Sequence, residues 1–163
     1  MECWDQTIKS YQLKFNIVPN WVLNRITTKK EHLGKLKKIS KTGIARYYKP
    51  MPEELKNTRA PQKITKENTQ EDIDQIIMKY GVSDWYDWAV SNWGTKWGCC
   101  ENEIENDEYW YKTAWAPLSL DLLKMLSKDI PEFNYTWEEE QGFGQDWVCK
   151  NGQLKMIKEW GLD

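Results

Sequence analysis

Trp21-Val-Leu-Asn-Arg-Ile-Thr27, followed directly by Thr28-Lys-Lys-Glu31, is the stretch on which the fold turns. The first part alternates and is rich in strand formers. The second matches a capping box, in which a hydroxyl and an acid three residues later satisfy orphan donors at a helix start. The helix predicted there buries Leu33, Leu36 and Ile39 and carries Lys30, Lys35, Lys37, Lys38 and Lys41 on its other face. It stops at Gly43, where a residue without Cβ takes the left-handed conformation at low cost. Ile44-Ala-Arg-Tyr-Tyr48 reads as the next strand, ended by Pro50-Met-Pro52.

The same order recurs further along. Tyr109 to Trp115 reads as a strand, Ser119 caps a helix with Leu122, Leu123, Leu126 and Ile130 inward, and after Pro131 the residues Phe133, Tyr135 and Trp137 alternate. Strand, helix, strand, twice over, predicts an α+β fold: a ferredoxin-like split βαβ antiparallel sheet with helices on one face. Residues 50–94 form a helical insertion in this plan. It holds a single turn at Pro52-Glu-Glu-Leu55, a polar loop from Asn57 to Asn68, and a helix opened by Thr69-Gln-Glu-Asp72 and closed by Gly81. In that helix Ile73, Ile76, Ile77 and Tyr80 share one face. Ser83 then caps a short helix bearing Trp85, Trp88 and Ala89, and Asn92-Trp-Gly94 turns into a strand at Thr95 to Gly98. Glu101 to Glu108 reads as an exposed acidic loop. Asp146 to Lys150 and Gln153 to Ile157 form a C-terminal hairpin through a type I′ turn at Asn151-Gly152. Residues 1–18 are an extended leader or an edge strand around Tyr11, Leu13, Phe15 and Ile17.

A chain of 163 residues, 40% hydrophobic and 29% charged, suits one globular domain over 1–163. The apolar runs are too short to span a bilayer, and the start Met-Glu-Cys-Trp-Asp-Gln has neither a basic nor an apolar signal region, so a cytoplasmic site without membrane association is expected. Cys3, Cys99, Cys100 and Cys149 do not make a disulfide framework, and with His32 as the sole imidazole no metal-ligand spacing appears. Charge is separated along the chain: Arg25 to Lys66 holds thirteen bases against three acids, whereas 67–163 holds eight bases against twenty acids. Either the two halves neutralise each other within the fold or a basic face attracts anions; the net charge of −2 favours the first and argues against general nucleic-acid binding.

Trp85-Tyr-Asp-Trp-Ala-Val-Ser-Asn-Trp-Gly-Thr-Lys-Trp97 gathers four of the 11 tryptophans, and Trp115 follows a second aromatic group at Tyr109, Trp110 and Tyr111. Such a cluster packs a core corner or lines a pocket whose rim carries Asn92, Thr95 and Lys96, suited to stacking a base or sugar. The candidate ligand-binding residues are therefore Trp85, Trp88, Asn92, Trp93, Thr95, Lys96, Trp97 and Trp115. Gly94-Thr-Lys96 lacks the glycine-rich lead and following helix of a phosphate loop. The acids Asp84, Asp87, Glu138, Glu139 and Glu140 read as solvated, nothing pairs Cys149 with His32 as a nucleophile and base, and no catalytic residue or cofactor is assigned.

Several blocks together resemble the YubB ferredoxin-like family of phage and plasmid proteins, a domain of unknown function. They are Pro19-Asn-Trp21 with Asn24 and Ile26, Pro50-Met-Pro-Glu-Glu-Leu55, Trp85-Tyr-Asp-Trp88, Asn92-Trp-Gly-Thr-Lys-Trp97, Thr113-Ala-Trp115 with Pro117, and Tyr135 to Glu140. The six residues from Asn92 to Trp97 are the most specific. Where the family usually reads Thr-Ala-Trp-Ser-Pro-Pro, this chain has Ala116-Pro117-Leu118 after the tryptophan. The resemblance implies a ferredoxin-like fold without an iron and sulfur cluster, carriage by a mobile element and a place in the host cell cytoplasm. It transfers no catalytic residue. The leading functional reading is a non-enzymatic accessory protein that binds a nucleotide-like small ligand or a host defence component in a counter-defence role. The alternatives are a protein interaction module with core tryptophans that contacts its partner through the acidic loop or the basic helix, and a small enzyme.

Overall fold

The computed structural model describes residues 19–161 and shows a mixed α+β architecture in which six antiparallel strands are ordered β2-β3-β1-β4-β5-β6. These are β1 (Trp21–Thr28), β2 (Cys100–Glu105), β3 (Glu108–Ala114), β4 (Phe133–Glu139), β5 (Gly144–Lys150) and β6 (Gln153–Trp160). The helices are α1 (Leu33–Ser40), α2 (Ile44–Tyr48), α3 (Glu53–Lys56), α4 (Gln70–Tyr80), α5 (Trp85–Trp93) and α6 (Leu120–Asp129). Residues 1–18, read above as a leader or edge strand, lie outside the described residues.

Alternation in the central strands dictates where the core sits. Val22, Asn24 and Ile26 of β1 pair with Thr113, Tyr111 and Tyr109 of β3 on one side, and Ile26 pairs with Tyr135 of β4 on the other. All of these are buried, and Ile26, Tyr109, Tyr111 and Tyr135 pack with Leu36 and Ile39 of α1 and with Leu122, Leu123 and Leu126 of α6. Apolar burial of this kind contributes roughly 1.5–3 kcal/mol for each large side chain and holds the helices to one sheet face. Within that apolar layer Asn24 is the polar exception. Its Nδ2 donates to Thr113 Oγ1 at 3.0 Å, and its Oδ1 accepts from Tyr135 Oη at 2.7 Å. One side chain therefore ties β1 to both neighbouring strands.

Several sequence expectations hold. The helix behind Thr69 has its full capping box, and Gly81 closes it at φ +75°. Leu122, Leu123 and Leu126 of α6 face inward, and Asn151 and Gly152 both take positive φ between β5 and β6. Charge neutralisation between the halves is also visible, because Lys29 pairs with Glu132 and Lys35 with Asp129 at 3.0 Å.

Other expectations are corrected. Thr28 opens no capping box: it remains in β1, its hydroxyl donates to the Glu132 carbonyl, and a 3-10 turn at Lys30–His32 leads into α1 without a side-chain cap. Ile44–Tyr48 is a helix rather than a strand. Gly43 at φ +78° turns the chain, and burial of the adjacent Ile44 and Ala45 with Tyr48 one turn on suits helical spacing, so packing overrides strand propensity. The second strand comes instead at Cys100–Glu105, inside the stretch read as an acidic loop; its acids alternate with Asn102 and Ile104, and only Asn106-Asp107, both at positive φ, form the turn. The insertion between β1's helix and β2 thus starts before residue 50 and runs past 94. Ser83 does not cap α5; Asp84 does, accepting from the backbone N–H groups of Tyr86 and Asp87. Ser119 stands at the N-cap of α6 without a side-chain capping bond.

Asn24→Ala removes both cross-strand bonds and strands two buried hydroxyls, so a loss of about 2–4 kcal/mol is expected in urea unfolding with an unchanged m-value. The loss in Asn24→Ala combined with Tyr135→Phe should fall short of the sum of the single losses, since the two side chains share one bond.

Candidate functional site

Gly94 begins the site. It follows α5 in the left-handed conformation at φ +79°, and an added Cβ would meet Ser119 N at 2.8 Å, so the chain leaves the helix in a single direction. The expected strand at Thr95 to Gly98 does not form, because Thr95 makes the sheet contact with its side chain. Its hydroxyl donates to the Ala114 carbonyl at 2.8 Å and accepts from the Ala114 N–H at 3.1 Å, taking both groups a neighbouring strand would take. This clamp lays Lys96 and Trp97 beside the end of β3. Directly after Ala114, Trp115 adopts φ +67°, rare for a bulky residue, while its N–H donates to Asn20 at 2.8 Å, and the indole is left 43% exposed. Trp21, which opens β1, is paired in register with Ala114.

Three separate segments thereby bring their rings around one ammonium, and Trp21 packs behind Trp97. Lys96 Nζ lies 4.6 Å from the Trp115 ring centroid, 4.7 Å from Trp97, 5.9 Å from Tyr86 and 6.0 Å from Trp85. The indoles of Trp97 and Trp115 are 22° from parallel with centroids 6.3 Å apart, and Trp21 lies 6.0 Å from Trp97. Ring faces carry negative quadrupole density and attract a cation. Among the described residues no carboxylate forms an ion pair with Lys96, and burial alone pushes its pKa below the ordinary lysine value of 10.5. A partly desolvated cation held by rings, with no counter-ion among the described residues, is the outstanding electrostatic feature of this surface.

Of the residues selected from sequence, the structure brings together Trp85, Lys96, Trp97 and Trp115. The others serve the scaffold. Trp88 and Trp93 are 8% and 3% exposed, meet edge to face at 5.4 Å, and belong to the core; Trp93 Nε1 donates to the Lys49 carbonyl. Thr95 is the clamp, and Asn92 Nδ2 donates back to the Trp88 carbonyl within α5. Sequence reading missed Trp21 and Tyr86. Tyr86 sat unweighted between two selected positions, whereas Trp21 lies 76 positions before Trp97 and no local signal links them. Elsewhere, Glu139 is buried and accepts from the Gln141 N–H, and the Cys149 thiol donates to the Pro131 carbonyl. Among the described residues no helix is long and apolar enough to cross a membrane.

Comparison of the chain with family models, with curated proteins and with solved structures gives no match.

The division between scaffold and cage has a direct test. Trp93→Ala should cost about 3–5 kcal/mol, the usual loss for a buried tryptophan, whereas Trp115→Gly relieves a positive φ and should cost less than about 1 kcal/mol. Thermal or urea unfolding of the two variants distinguishes them. Gly94→Ala should both lower stability and disturb indole fluorescence, as its added methyl pushes the Lys96 segment away from Ser119.

Proposed function

We propose that the chain is a non-enzymatic accessory protein of a phage or plasmid, built on a ferredoxin-like core, that binds a flat, anionic, nucleotide-like ligand on the rings around Lys96. The strand order β4-β1-β3-β2, all antiparallel with α1 and α6 against one face, supports the ferredoxin-like reading. Carriage by a mobile element rests on the family resemblance of the sequence blocks described above, and the counter-defence role on that family context rather than on particular residues.

The observation that carries the ligand reading is the Lys96 ammonium over Trp97 and Trp115, unpaired among the described residues. An anion there regains the Coulomb attraction that burial withholds, while a planar ring stacks on an exposed indole for roughly 1–3 kcal/mol. Trp115 is held ready by its own backbone, so little ordering cost attends binding.

A second reading has its own support. Ile77 and Val90 stand exposed near Tyr86 on α4 and α5, and Met78 is almost fully solvent-exposed. Such a patch fits a host protein docking beside the cage.

Titration of the intact protein with mononucleotides, followed by tryptophan fluorescence, tests the first reading. Quenching should saturate, and Lys96→Gln and Trp115→Ala should each weaken it without loss of fold; retention of affinity in both variants would reject the site. The pH dependence has a definite sign. Only the protonated lysine attracts an anion, so affinity should fall as the pH rises through the lysine's pKa, and the fall should set in below the ordinary lysine value of 10.5, because burial lowers this pKa. Lys96→Arg keeps its charge throughout that range and should abolish the alkaline fall.

A further inference from the structure

We infer that the cage selects a planar ligand carrying a single negative charge and gains nothing from further phosphates. This deepens the nucleotide-like reading and rests on it. Anion receptors at the site are few. Lys96 is the one cation that stands over Trp85, Tyr86, Trp97 or Trp115 among the described residues. A helix N-terminus is the other natural anion receptor nearby, because α5 begins at Trp85 and its second residue is Tyr86. That receptor is already filled. The Asp84 carboxylate is buried and accepts from Tyr86 N at 3.0 Å and from Asp87 N at 3.1 Å, so the donors and the positive end of the helix dipole face a charge of the chain's own.

A second or third phosphate would therefore meet unfavourable neighbours. The ring faces that attract the ammonium repel an anion by the same quadrupole, and Asp84 and Asp87 add like charge beside Trp85 and Tyr86. The contrast with polyphosphate sites is chemical: those present several backbone N–H groups together with Lys, Arg or a metal ion. Here one ammonium offsets one negative charge, and the remaining contacts of the ligand are stacking. The surface thus fits a flat heteroaromatic group joined to one singly charged phosphodiester or carboxylate.

A charge series at constant ring tests the inference: adenosine, 3′,5′-cyclic AMP, AMP and ATP, each titrated into the full chain by calorimetry and by indole fluorescence without divalent cations. Cyclic AMP should bind roughly ten- to a hundredfold more tightly than adenosine, the worth of one charge-assisted contact, while AMP and ATP bind no more tightly than cyclic AMP. Lys96→Gln should bring cyclic AMP down to the level of adenosine, with circular dichroism and urea unfolding showing that the variant keeps its fold. Affinity rising steadily from cyclic AMP to ATP would overturn the single-charge assignment while leaving the stacking site intact. Failure of every member to bind would remove the nucleotide-like reading and this inference with it. Anthranilate in place of the nucleotides asks whether a carboxylate serves as the single charge; its binding with the same Lys96 dependence extends the class to aromatic acids, and its failure confines the class to the phosphodiester.

Discussion

The hydrogen bonds of Asn24 are the constraint on which the sheet depends. Val22 and Ile26 would bury equally well in any register that keeps them on the core face, since apolar contact is not directional. An amide among apolar residues is directional: it must meet Thr113 on one side and Tyr135 on the other, or leave buried polar groups unpaired. β1 is consequently held in one alignment against β3 and β4. That alignment sets Trp21 opposite Ala114 at the strand end, where the aromatic cage begins.

From that end the site follows by local steps. The chain returning from α5 has to pass the end of β3, and Thr95 lets it do so without adding a strand, because a hydroxyl both donates and accepts. Two consecutive residues, Lys96 and Trp97, are then fixed beside Trp115, whose positive φ turns its ring outward instead of into the core. Local strain of this kind persists only where surrounding contacts over-determine it, and it clusters at sites that bind. Around Lys96 the scaffold contributes aromatic faces and, among the described residues, no paired carboxylate. Burial disfavours the charged ammonium.

Much of the scaffold was legible in the sequence. The helix at Gln70–Tyr80 announced itself through Thr69, Asp72, the isoleucine spacing and Gly81, and the last hairpin through Asn151-Gly152, because caps and tight turns are decided by neighbouring residues. Ile44–Tyr48 and Cys100–Glu105 were misread for the opposite reason. A five-residue apolar stretch is compatible with either period, and a glutamate-rich strand looks like a loop until its edge position in the sheet is known. The site was half legible. Density of tryptophan drew attention to residues 85–97, but Trp88 and Trp93 share every local property of Trp85 and Trp97 while lying in the core.

Sequence alone determined that this chain alternates strands and helices in an α+β order, where its best-capped helix and last turn fall, and that an unusual number of indoles lie near a lysine. Those properties are encoded by residues a few positions apart. Tertiary structure decided which indoles face solvent, that Trp21 and Tyr86 join them, and that no acid among the described residues pairs with Lys96. Each of these depends on contacts between segments tens of residues apart, and the energy that fixes them is directional hydrogen bonding at Asn24 and Thr95 acting on a one-sided apolar core.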